Sequence, residues 1–152
     1  MLVSDLTVCL IKTMTDIEIA MKELEGHTLA LCRDGKVITS DKRGVAPMVD
    51  FIREGRELSG YSAADRVVGK AAAALFVKAG IKEVYALTVS ESARAFLTAN
   101  GVAVRWQTLA DRIINRAGNG PCPMESAVAG TDDPDEAFDI ISAKLDAMRA
   151  GK

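Results

Sequence analysis

The chain has one histidine, His27, and three cysteines, Cys9, Cys32 and Cys122, with no Cys-x-x-Cys pair among them. An odd number of widely spaced cysteines makes neither a disulfide framework nor the four ligands of a structural zinc site, so no metal and no cofactor are expected. The natural compartment for such thiols is the reducing cytoplasm. A strong net charge is missing too: 19 basic residues face 21 acidic ones, leaving −2, so no overall field draws nucleic acid or an anionic membrane surface. No stretch of about 18 uninterrupted apolar residues is present to span a bilayer. The apolar N-terminus carries Asp5 and no basic residue ahead of its apolar run, which is unlike a secretory signal. Neither a repeat nor a low-complexity linker divides the 152 residues, and 49% of them are hydrophobic. One domain with a real core is expected over 1–152, with that core at about 15–145.

Periodicity supplies the elements. Residues 6–12 fit strand or helix, because Leu6, Val8 and Leu10 alternate but Ile11 breaks the alternation. Thr15 with Glu18 three residues on is a capping-box signature, and Ile17, Ala20, Met21 and Leu24 recur at helical spacing over Thr15–Glu25. Asp34-Gly35 between the runs 28–32 and 37–40 predicts a tight hairpin turn. A short helix is expected over 44–55, with Pro47 in its first turn and Gly55 closing it. Ser62 with Asp65 repeats the capping signature, which predicts a buried central helix from Ser62 to about Lys78, built on the small residues Gly69 to Ala74 and ended by Gly80. Glu83 to Val89 reads as a strand covered on both faces, Ser90 as the cap of a helix ending at Asn100-Gly101, and Val102 to Trp106 as a further, parallel strand. Thr108 and Asp111 would cap a short helix carrying Ile113 and Ile114. A last amphipathic helix begins at Asp133-Pro134 and runs over about 134–149, its stripe formed by Phe138, Ile141, Leu145 and Met148. The acidic run 132–136 complements the dipole of that helix more economically than it makes a metal site.

One segment, Asn115 to Glu125, fits neither a core element nor an ordinary solvated loop. Pro123 suits a first helical position, which makes Cys122 the N-cap, with its sulfur facing unpaired N–H groups that favour thiolate. Arg116 folding back would add to this, and Gly118 and Gly120 permit the backbone of an anion-holding loop. The structural alternative is an inert packed thiol, with Glu125 at N3 reaching back to cap its own helix. Lys70 shares a helical stripe with Arg66, Ala73 and Val77, so its ammonium calls for a carboxylate or a ligand anion; a surface pair with Asp65 or Glu91 is the plainer reading. Gly69-Lys70 is not a phosphate loop, since the preceding glycine and the following Ser/Thr are absent. The candidate catalytic residues are therefore Cys122, Lys70, Asp65 and Glu125. Candidate ligand contacts are Arg116, Asn115, Gly118, Gly120, Ser62 and Ser90.

The run Ser-Ala-Ala-Asp-Arg-Val-Val-Gly-Lys-Ala-Ala-Ala at 62–73, together with Asn-Arg-x-Gly-x-Gly-x-Cys-Pro-Met-Glu at 115–125, resembles a bacterial and archaeal domain family of unknown function that has a cytidine-deaminase-like fold. The resemblance implies an α/β protein, a three-layer α/β/α sandwich with a mixed sheet. It does not extend to deaminase chemistry. Zinc deaminases take a His or Cys from the start of the central helix and two Cys from a Pro-Cys-x-x-Cys turn. Here the expected helix starts Ser62-Ala63-Ala64-Asp65, and the turn after the next strand is Ser90-Glu91-Ser92-Ala93. Pro121-Cys122-Pro123-Met124-Glu125 echoes the cysteine turn but falls one βα unit too late. Two functions stay open: a zinc-independent enzyme acting on a nucleotide-like or phosphorylated small molecule through Cys122, and a non-catalytic ligand-binding or regulatory module. An interaction subunit, and a homo-oligomer, are compatible with the same sequence.

Overall fold

The computed structural model describes residues 14–151; the N-terminal stretch 6–12 and Cys9 lie outside them. Helix α1, Asp16–Glu23, opens on the expected capping box: Thr15 Oγ1 accepts from the Glu18 N–H, and Glu18 Oε1 accepts from the Thr15 N–H at 2.9 Å. A 3₁₀ turn, Leu24–Gly26, leads into β1, Leu29–Arg33, and β2, Lys36–Ser40, joined by Asp34 and Gly35 at φ 50° and 80°. Two consecutive positive φ angles make the turn whose twist matches a hairpin. Helix α2, Ala46–Arg53, carries Pro47 in its first turn.

The expected helix from Ser62 is not formed as one element. Ser62–Val68 is strand β3, and only Lys70–Ala79 is helical, as α3. The capping signature is illusory: Ser62 Oγ donates to Glu83 Oε1 at 3.2 Å, and Asp65 Oδ1 accepts from the adjacent Arg66 N–H at 2.8 Å. β3 lies at the centre of the sheet, antiparallel to β1 on one side and parallel to β4, Glu83–Ser90, on the other. Ser62, Ala63 and Ala64 are fully buried there, so neighbouring strands and covering helices decide the conformation against a weak local helix preference.

Helix α4, Glu91–Ala99, is capped by Ser90, whose Oγ accepts from the Ala93 N–H at 3.1 Å. Strand β5, Ala103–Ala110, is longer than expected and takes up Thr108; no helix forms over Thr108 to Ile114. Pairing explains the extension, since β4 continues to Ser90 opposite Ala110 and carries β5 with it. Helix α5, Pro123–Val128, and helix α6, Pro134–Ala150, finish the chain, the second capped by Asp133, which accepts from the Asp135 N–H at 2.9 Å.

The protein is thus a mixed α/β fold whose sheet runs β2-β1-β3-β4-β5. Side chains of β1 alternate between two cores. Leu29 and Leu31 join the main core with α2 to α6, while Ala30 and Cys32 meet Ala20 and Leu24 in a smaller one under α1. Ala71 to Phe76 of α3 are all buried, so the expectation of a central small-residue helix holds for this shorter element. Among the described residues no helix is long and apolar enough to cross a membrane.

Candidate functional site

The C-terminal ends of β3, β4 and β5 lie at one edge of the sheet, the edge at which open α/β sheets receive ligands. Three connections leave it: Gly69 into α3, Ser90 into α4, and the segment 111–122 into α5. The first and third are tied together. Glu125 Oε1 accepts from the Lys70 N–H at 2.7 Å, and Oε2 from the Ala71 N–H at 2.9 Å. A carboxylate on two unpaired donors at a helix start satisfies them and complements the helix dipole. Glu125 therefore caps α3, 55 residues back in sequence, and does not reach back to cap its own helix; Cys122, the N-cap of α5, makes no side-chain cap bond. Gly69 has extended backbone that any residue adopts, so space is what demands glycine: a Cβ there would lie 2.4 Å from Glu125 Cδ.

Lys70 follows directly. Its side chain is only 14% exposed, its Nζ lies 2.9 Å from Asp132 Oδ1, and it sits 5.9 Å from the centroid of the Phe96 ring. The Asp132 side chain is 90% exposed, so water competes for the pairing. The expected partners Asp65 and Glu91 are not used: Glu91 pairs with Arg94. Two adjoining clefts meet at Lys70 and Ser92. One, about 290 Å³, continues along Arg112, Pro121, Glu125 and Ser126; the other, about 410 Å³, along Phe96, Asn100 and Asp132.

The remaining candidates distribute as follows. Asn115 is spent within its own loop, its side chain donating to Asn119 Oδ1 at 3.0 Å and accepting from the Asn119 N–H at 3.2 Å, beneath an Ile114–Pro121 bridge. Gly118 takes φ 75°, Gly120 does not need a positive φ, and Arg116 is exposed. The Cys122 side chain is half-buried and packs against the main core; it is not among the residues lining either cleft. Ser62 sits at the opposite end of β3 from Gly69, and Ser90 is the fully buried cap of α4, whereas its neighbour Ser92 lines both clefts. Asp65, in mid-strand, is desolvated, which pushes its carboxyl up to about 7 against the smaller opposing pull of the Arg66 N–H and guanidinium. Arg112 joined the site without being singled out from the sequence, whereas Ser92, like Ser90, is marked there by its place at a helix start after a parallel strand, the usual ligand edge of an α/β sheet. Among the described residues, no three of His, Cys, Asp and Glu come together as metal ligands.

The family model described as TM1506, a domain of unknown function (DUF1893), matches residues 19–145. The crystal structure of a DUF1893 family protein from Thermotoga maritima is similar, with a TM-score of 0.78 and 26% identity over 85% of this chain and 89% of that one. No curated protein matches.

Proposed function

Because the chain belongs to the DUF1893 family, whose description assigns no activity, we propose from its own geometry that it is a ligand-binding domain holding a small anionic metabolite in the cleft beside Lys70. The observation that carries this reading is that Lys70, whose side chain is only 14% exposed, Arg112 and Ser92 line one cleft at the C-terminal edge of the parallel strands. Among the described residues Arg112 has no ion-pair partner, and the partner of Lys70 is solvent-facing. Two cations and a hydroxyl suit a phosphate or carboxylate group, with the apolar walls of the second cleft, Phe96 and Ala95, taking the rest of the molecule. The half-buried Cys122, packed on the core, supports binding over a nucleophilic role. The sheet order, with α1 on one face and α2 to α4 on the other, supports a three-layer sandwich of the cytidine-deaminase-like kind as its framework.

A thermal-shift survey of phosphorylated and carboxylated metabolites tests the reading. At least one should raise the melting temperature of the wild type, and the rise should be lost in Lys70→Met and Arg112→Ala. A rise of equal size in both variants would place the binding elsewhere.

A further inference from the structure

The two clefts that meet at Lys70 and Ser92 carry charges of both signs, unequally placed. Lys70 and Arg112 bring two positive charges to the first, which also has Glu125 on its wall. Glu125 is committed elsewhere, its two carboxylate oxygens accepting from the Lys70 and Ala71 N–H groups at the start of α3. In the second cleft Asp132 is the one acid among the described residues that line it, beside the Phe96 ring and the small side chains of Ala95 and Ala99. Asn100 is partly spent there, its amide donating to the Phe96 carbonyl at 2.8 Å. With the clasped Glu125 set aside, two cations face one carboxylate.

Asp132 does not depend on Lys70 for its place. Thirteen of its neighbours aside, the chain flanking it is anchored: Thr131 is buried, and Asp133 donates its N–H to Thr131 Oγ1 at 3.1 Å and caps α6. A simple anion arriving at Lys70 meets a carboxylate 2.9 Å from the same ammonium, and the two like charges repel. A ligand that brings its own cation turns this cost into a gain. Its anion takes Lys70 and Arg112, and its cation takes the Asp132 carboxylate that Lys70 gives up, so one ion pair is exchanged for two. The Phe96 ring adds to the preference, because its face already holds the Lys70 ammonium 5.9 Å from the centroid and attracts a ligand cation by the same quadrupole.

Taking the cleft beside Lys70 as the binding site, we infer that its occupant is an anion that also bears an ammonium group, of the phosphorylated-amine or amino-acid class. The chain between the two groups is short, since Lys70 Nζ and Asp132 Oδ1 are in contact. A phosphate of about −2 with one ammonium complements two cations and one carboxylate.

Isothermal titration calorimetry with two matched pairs tests this: O-phosphoethanolamine against ethyl phosphate, and β-alanine against propionate. Each pair shares its anionic group and differs in the amine. In at least one pair the amine-bearing member should bind the wild type about fivefold tighter or more, the size of a solvent-facing ion pair joined to a cation–π contact. Asp132→Asn should erase that preference, weakening the amine-bearing compound while its partner binds as well as before or better. Lys70→Met should weaken both members. Equal affinities within both pairs, or a preference unchanged in Asp132→Asn, would overturn this inference and leave the anion cleft standing. No binding by any of the four compounds would overturn both.

Discussion

Removing the Glu125 carboxylate strips two N–H donors, those of Lys70 and Ala71, of their acceptors at 2.7 and 2.9 Å. Loss of an N-cap costs up to ~2 kcal/mol, and the charge of the acceptor at the positive end of α3 adds ~0.3–1 kcal/mol. Glu125→Ala should therefore destabilise by about 1–3 kcal/mol, or ~3–10 °C in melting temperature for a chain of this size. Gly69 makes the prediction sharper. A Cβ at 69 would meet the carboxylate at 2.4 Å, and that flexible side chain can only yield by giving up its bonds to α3. Gly69→Ala should thus cost no more than the clasp is worth. In the Glu125→Ala background that carboxylate is gone, and the same substitution should be neutral or stabilising by ~0.4–1 kcal/mol, because alanine restricts the unfolded chain. Urea titrations of the four proteins close a double-mutant cycle. Additive costs, or a Glu125→Ala loss below about 0.5 kcal/mol, would refute the clasp.

The elevated carboxyl of Asp65 links stability to pH. Its folded pKa of about 7 lies above the usual aspartate value, so its contribution is fully present below pH ~4 and is lost as pH rises through 7. Asp65→Asn should accordingly gain stability relative to wild type between pH 5 and 8, by at most ~4 kcal/mol; a pH-independent difference between the two proteins contradicts the assignment. Thiol labelling should separate two cysteines: Cys32 is fully buried, with desolvation and then Asp16 raising its pKa to about 11, so half-buried Cys122 should alkylate first in native protein, as mapped by peptide mass. Asp132→Ala should cost under about 1 kcal/mol, since the 90% exposed carboxylate is strongly screened, and a larger loss in chemical denaturation would mean that the pair with Lys70 has a structural role.

Local signals wrote much of this fold plainly. Thr15 and Glu18, Asp34-Gly35, Ser90, and Asp133-Pro134 each act on backbone groups within three residues, and each stands where its chemistry required. β3 was concealed because Ser62, Ala63, Ala64 and Asp65 favour a helix locally, and only burial between β1 and β4 holds them extended. The missed end of β5 had a further consequence for the site. A strand stopping at Trp106 leaves Arg112 in a helix, whereas a strand reaching Ala110 delivers it to the C-terminal edge, beside the cleft. The role of Glu125 was hidden by distance, since nothing near it in sequence points to α3; the one available clue was a glycine at 69 with no conformational need for it.

The most direct measurement is mass spectrometry of the small molecules released on denaturing freshly purified protein. The account predicts an anionic metabolite near one equivalent with the wild type, strongly reduced with Lys70→Met and with Arg112→Ala, both still folded by circular dichroism. A metabolite retained equally by both variants, or none in the wild type together with no stabilisation by any anion in the thermal survey, would contradict it.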